Sequence, residues 1–123
     1  MKLQVAATEG QNAFTAYGDG YVSVNAVRYT SNVLVLPDRV IPEWSPSTLA
    51  TMTVADFALL AGLDADIIIL GTGKVATFPA PALRRPFIEK QKGLEVMDIQ
   101  AACRTYNVLI SEGRKVAAGL IFS

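Results

Sequence analysis

The run Asp66-Ile67-Ile68-Ile69-Leu70, followed at once by Gly71-Thr72-Gly73, constrains this chain more than any other feature. A continuous β-branched run has no polar alternation, so it suits a strand covered on both faces in the middle of an α/β sheet. Leu94-Glu95-Val96-Met97 forms the next strand, and Asp98 caps a helix over about Ile99 to Glu112. Ile99, Ala102, Cys103, Tyr106, Leu109 and Ile110 follow the helical period, with Gln100, Arg104, Asn107 and Ser111 on the opposite face. Gly113 is a natural C-cap, and Val116 to Phe122 reads as the last strand. Residues 66–120 therefore alternate strand and helix, which calls for right-handed crossovers and a partly parallel sheet.

The helix between the first two of these strands is bounded by proline. Pro79, Pro81 and Pro86 allow a start near Ala82, with Pro86 in or near the first turn. Leu83 and Phe87 would face the sheet, and the helix would end at Lys92-Gly93. An earlier helix is expected from Val54 to Ala61. Thr53 caps it, Asp56 completes a weak capping box, and Gly62 ends it. Its apolar stripe reads Val54, Phe57, Ala58 and Ala61.

The first third is β-rich. Asn12–Tyr17 and Tyr21–Asn25 flank Gly18-Asp19-Gly20, and both segments alternate apolar with polar residues, a hairpin signal. Val33 to Leu36 is a short strand ending at Pro37-Asp38. Pro42, Trp44 and Pro46 make the next stretch too proline-rich for a central strand, and it reads as an extended connection. Trp44 either covers the edge of a core or marks a partner surface. With no repeat, linker or low-complexity tract, residues 1–123 read as a single α/β domain: a mixed sheet, flanking helices and an extra N-terminal β-hairpin element.

Composition narrows the function. The 123 residues hold 11 cations and 11 carboxylates, so nothing favours nucleic acid as a partner. There is no histidine, which removes Ser-His-Asp and Cys-His nucleophile activation and the usual histidine metal sites. A single cysteine can form neither an internal disulfide nor a thiolate cage. No carboxylate cluster has the spacing of a hard-cation site. No catalytic residue, metal or cofactor is expected. No apolar run reaches the ~18 residues of a membrane span, and Met1-Lys2-Leu3-Gln4-Val5 has no secretory or transit character. A bacterial-type cytoplasmic protein is the simplest reading.

One crevice remains as a candidate site. Open α/β sheets bind ligands at the carboxyl ends of their strands. The loop Gly71-Thr72-Gly73-Lys74 and the helix start Asp98-Ile99-Gln100 would open onto one such crevice, with Arg104 a turn further on. Gly71, Thr72, Gly73, Asp98, Gln100, Arg104 and Asn107 make up this candidate set. The loop is neither a dinucleotide fingerprint nor a P-loop, since Ala76 stands where a third glycine belongs. The glycines also fit a tight turn and close packing, and Asp98 would occupy the donors an anion needs. Asp64 and Asp66 read as a solvated turn, Cys103 as core, and Arg104 as a structural ion-pair partner in preference to a ligand clamp.

The runs Leu70-Gly71-Thr72-Gly73, Gly93-Leu94-Glu95-Val96-Met97-Asp98, Ala101-Ala102-Cys103-Arg104-Thr105-Tyr106-Asn107 and Glu112-Gly113-Arg114 resemble a widespread family of small proteins of unknown function. Its archaeal prototype came from a methanogen, and it includes mitochondrial complex I assembly factor 3 and a vertebrate adipogenesis-associated protein. The resemblance implies three layers around a mixed five-stranded sheet, with an additional β element on one side. It implies no reaction, and its assembly-factor branch acts by binding protein partners. Many relatives carry threonine where this chain has Ile99, which leaves Asp98 as the sole side-chain cap. The functional expectation is a binding or assembly module, with a protein partner or self-association. Such a module should carry an exposed apolar patch at Trp44 or at the edge of the last strand. The alternative is a small-molecule or anion-binding protein, an enzyme included, using the crevice between the Gly71-Thr72-Gly73 loop and the helix starting at Asp98.

Overall fold

The computed structural model describes residues 1–3, 10–45 and 48–122. Gln4, Val5 and Pro46 lie outside the described residues. Among the described residues, eight strands and three α-helices follow in the order β1 (Phe14–Gly18), β2 (Tyr21–Val24), β3 (Val27–Tyr29), β4 (Val33–Leu36), β5 (Arg39–Pro42), α1 (Val54–Ala61), β6 (Ile67–Thr72), α2 (Arg85–Glu89), β7 (Gly93–Met97), α3 (Ile99–Ser111) and β8 (Val116–Ile121). Strands β5-β4-β8-β6-β7 form a mixed sheet, and β1-β2-β3 form a separate antiparallel sheet. β6 is parallel to β7 and to β8, while β4 is antiparallel to β5 and to β8.

Two hydrophobic cores lie on the two faces of the large sheet, and its central strands divide their side chains between them. Val33, Val35, Ile69, Val116, Ala118 and Leu120 face α3 and the small sheet. Leu34, Leu36, Ile68, Leu70, Ala117 and Ile121 face α1 and α2. This period-2 division explains the unbroken apolar runs, because both faces are covered. The chain steps from β6 to β7 through α2 and back past β6 to β8 through α3. Right-handed crossovers in opposite directions put their helices on opposite faces, and α2 and α3 are so placed.

Local signals set the helix ends. Thr53 accepts from the Asp56 N–H and the Asp56 carboxylate accepts from the Thr53 N–H, the capping box read from sequence. Asp98 Oδ1 accepts from the Ala101 N–H at 2.9 Å. At the other end of α3, Gly113 has φ +76°. The Gly113 and Arg114 N–H groups return to the Ile110 and Leu109 carbonyls at 3.0 Å each, a Schellman motif.

Several elements differ from expectation. The N-terminal hairpin is a three-stranded sheet. Asn25 and Ala26 turn the chain with φ of 49° and 67°, and β3 follows. Both turn residues sit in the left-handed region, where glycine is the usual sequence signal and alanine hides it. The first turn is Asp19-Gly20, with Gly18 already paired to Tyr21. The extended connection after Pro37 contains β5, an edge strand that tolerates Pro42 at its end. Trp44 is half-buried over Gly119, and its indole N–H donates to the Leu120 carbonyl at 3.2 Å, so it closes the edge of the core.

The buried stripe of α1 is Phe57, Leu60 and Ala61, while Val54 and Ala58 are exposed. Nearly every residue of this helix is apolar, so its sequence contains no preferred face. The proline-bounded helix is a 3-10 turn (Pro81–Arg84) followed by the short α2. Pro86 is the second residue of α2, Gln91 turns at φ 55°, and Gly93 belongs to β7. β8 lies between β4 and β6, so the last strand has no free edge.

Candidate functional site

The Gly71-Thr72-Gly73 segment is mostly strand. Gly71 pairs with Met97 and Leu120, and Thr72 pairs with Ile121, so only Gly73 turns, at φ +60°. Gly71 is where α3 crosses the sheet. A Cβ there would stand 2.7 Å from Leu120 Cδ2, 3.0 Å from Ala102 Cβ and 3.4 Å from Ile99 Cα. The glycine thus permits close helix-on-sheet packing. The buried Thr72 hydroxyl accepts from the Thr77 N–H at 2.8 Å and lies 3.3 Å from the Val75 carbonyl, which folds the 73–77 loop back on itself.

The start of α3 is closed in the same way. The Ile99 N–H donates to the Gly73 carbonyl at 2.9 Å, and the Ala101 N–H to Asp98. Two of the donors that would bind an anion at this helix N-terminus, the Ile99 and Ala101 N–H groups, are therefore engaged by the protein itself. Arg104 and Asn107 point to the small sheet. Arg104 Nη1 donates to Tyr17 Oη at 2.9 Å. Asn107 Oδ1 accepts from the Phe14 N–H at 2.9 Å, and its Nδ2 donates to the Phe14 carbonyl at 2.8 Å. Its side chain therefore acts as one rung of a β-ladder along β1. Tyr106 adds a 3.0 Å bond to the Asn12 carbonyl and an edge-to-face contact with Phe14. The structure thus gathers Gly71, Thr72, Gly73, Asp98 and Gln100 at the strand ends and turns Arg104 and Asn107 away from them.

Two cavities meet at Gly73 and Lys74. The smaller, about 150 Å³, lies between the β1–β2 turn and the start of α3, lined by Asp19, Gln100 and Phe122 among others. Lys74 pairs with Asp19 at 3.2 Å at its mouth, where both side chains are largely exposed. The larger is an open groove of about 670 Å³ on the opposite face, between the 73–80 loop, residues 48–52 and Leu83. Its lining is mainly apolar, and Val75 and Phe78 stand in it 73% and 68% exposed. Sequence reasoning missed this groove. Its one signal was a Val75…Phe78 pair in a proline-rich loop with no strand or helix to bury it.

Cys103 is fully buried in the α3 core, and burial pushes its thiol up to about 12. Burial likewise raises the Tyr106 phenol well above its ordinary range. Both groups are neutral and inert at physiological pH. Among the described residues no helix is long and apolar enough to cross a membrane.

Along 98% of its length the chain is similar, at 28% identity, to NADH dehydrogenase [ubiquinone] 1 alpha subcomplex assembly factor 3 of Bos taurus, of which it spans 68%. It is 24% identical to the 13 kDa major membrane protein of Francisella tularensis, over 98% of this chain and 99% of that one. A Bordetella parapertussis protein of known crystal structure superposes with a TM-score of 0.86 at 37% identity, covering 96% of this chain and all of that one. The family model described as a protein of unknown function (DUF498/DUF598) matches residues 14–121, and the chain belongs to that family.

Proposed function

We propose that this protein is a non-catalytic binding module with an assembly-factor-like role, holding a protein partner rather than transforming a substrate. The observation that carries this reading is the likeness to the bovine assembly factor along nearly the whole chain. Two features of the molecule support it. The polar side chains at the strand ends, Thr72 and Asp98, are engaged in holding loops and helix starts, and Arg104 and Asn107 in holding the small sheet. The open groove beside the 73–80 loop presents apolar surface to a partner. We place the protein in the cytoplasm, a reading supported by its single, buried thiol.

The test is purification of the tagged protein from native extract of its own cells, with sedimentation of the product. A stoichiometric complex with a second protein is expected, in the soluble fraction. Recovery as a monomer alone would refute the proposal.

A further inference from the structure

Helix α1 is not built like a surface helix. Seven of its eight residues are apolar, and Asp56, the exception, is engaged in the capping box with Thr53. Phe57, Leu60 and Ala61 face the core, which leaves Val54, Ala55, Ala58 and Leu59 outward with no solvating side chain among them. A helix that is apolar all round belongs in an interior. Here one side is uncovered, with Val54 and Leu59 each 52% exposed.

That side borders a groove of about 440 Å³ between α1 and α2, lined by Val54, Ala58, Ala82 and Pro86 and flanked by Arg85, Glu89 and Lys90. Arg85 and Lys90 are exposed, and neither makes an ion pair or hydrogen bond through its side chain among the described residues. The charge of the chain is segregated here. Residues 74–92 hold five cations (Lys74, Arg84, Arg85, Lys90, Lys92) against Glu89, whereas the rest of the chain holds six cations and ten carboxylates. Of these cations Lys74 pairs with Asp19, and Arg84 and Lys92 donate to the Leu94 and Leu63 carbonyls, so the rim of this apolar groove is Arg85 and Lys90 against Glu89, a net positive charge.

We propose that the α1–α2 groove seats an acidic amphipathic helix of a partner protein. Its apolar residues lie against Val54 and Ala58, and its carboxylates meet Arg85 and Lys90. The proposal rests on the binding-module reading and adds a docking surface separate from the groove beside the 73–80 loop. A groove between two helices accepts a third through anchors at helical spacing. A second copy of this chain fits poorly, because the same face brings two cations and only one carboxylate, Glu89, to a rim that is already net positive. A bilayer is flat and would leave the concave, small-residue lining at Ala58 and Ala82 unfilled.

The probe is a synthetic amphipathic peptide with leucines at helical spacing and flanking glutamates. Its lysine-for-glutamate counterpart and vesicles of anionic phospholipid are run beside it. The acidic peptide should shift amide resonances of residues 54–61 and 81–90 only, and should bind more weakly as salt is raised. R85E combined with K90E should weaken it about tenfold, the loss of two rim charge pairs. Ala58→Gln, which fills the groove without changing charge, should abolish binding. All three positions are exposed, so thermal unfolding of the variants should be unchanged. Equal binding of both peptides, binding of neither, shifts mapping elsewhere, vesicle binding in place of peptide binding, or a dimer broken by Ala58→Gln would each overturn the proposal. A native complex that survives R85E/K90E would remove the groove and leave the binding module standing. Absence of any native complex with the parent protein would remove the module itself.

Discussion

Replacing Asn107 tests how the small sheet is held to the rest of the molecule. Its amide makes two bonds of 2.8 and 2.9 Å to the backbone of Phe14, a residue with no exposed surface. Each such bond contributes about 1 kcal/mol net, and a buried peptide group left without a partner costs about 1–3 kcal/mol. Asn107→Ala loses both bonds and orphans one N–H and one carbonyl, with partial relief from water because the site is only half-buried. The cost of the two orphaned groups, which already contains the lost bonds, is roughly 2–4 kcal/mol after that relief, a sizeable share of the ~6–18 kcal/mol expected for a domain of this length. Urea unfolding monitored by circular dichroism measures it, and amide exchange should accelerate most in β1, β2 and β3. Asn107→Asp gives the sharper test. One carboxylate oxygen still accepts from the Phe14 N–H, but the other faces the Phe14 carbonyl, which only a protonated acid can satisfy. That acid therefore has a folded-state pKa above its unfolded value of about 3.9. The stability it contributes is fully present below the unfolded pKa and lost as pH rises through the folded one, so the Asp variant should approach the parent near pH 4 and fall away by pH 7. An Ala variant within about 0.5 kcal/mol of the parent, or an Asp variant with no such pH trend, would refute the clasp.

Three further outcomes follow from the geometry. Gly71→Ala should destabilise by about 1–3 kcal/mol in chemical denaturation, because its Cβ would lie 2.7 Å from Leu120 and 3.0 Å from Ala102 at the α3–sheet contact. Ala26→Gly should raise the melting temperature, contributing about 0.5–1 kcal/mol by relieving an alanine held at φ 67° in the β2–β3 turn. Cys103 should resist thiol reagents at pH 8 in the folded protein. The unfolded thiol loses its proton near 9.0 and the buried one near about 12, so stability is retained below pH 9 and falls between pH 9 and 12. Cys103→Ala should flatten that part of the profile, and an unchanged alkaline slope would contradict the assignment.

Much of the architecture was legible because its signals are local. Thr53 with Asp56, Asp98 with Ala101, and Gly113 at the end of α3 act within one turn of their own helix, and all three were read in place. The Ile67–Leu70 run announced a strand buried on both faces because no polar alternation interrupts it. β3 was missed because alanine occupies a left-handed position that glycine usually marks. β5 was missed because Pro42 suppresses a strand reading, although an edge strand has no partner for the missing N–H.

The candidate site was less legible, and for a different reason. Asn107 and Arg104 occupy the polar side of α3 by periodicity, yet a small sheet some ninety residues earlier in the chain meets that side. Gly71 looked like a loop residue until β8, inserted between β4 and β6, gave it a second pairing partner. The outward face of α1 cannot be found from a helix that is apolar all round; only the position of the sheet decides which face is covered. The unit over residues 66–120, its caps and its family were therefore determined by sequence alone, through contacts a few residues long. Strand order, the engagement of the strand-end polar groups and the location of the open grooves were decided by tertiary structure. They depend on contacts between segments distant in the chain, and local patterning carries no record of those.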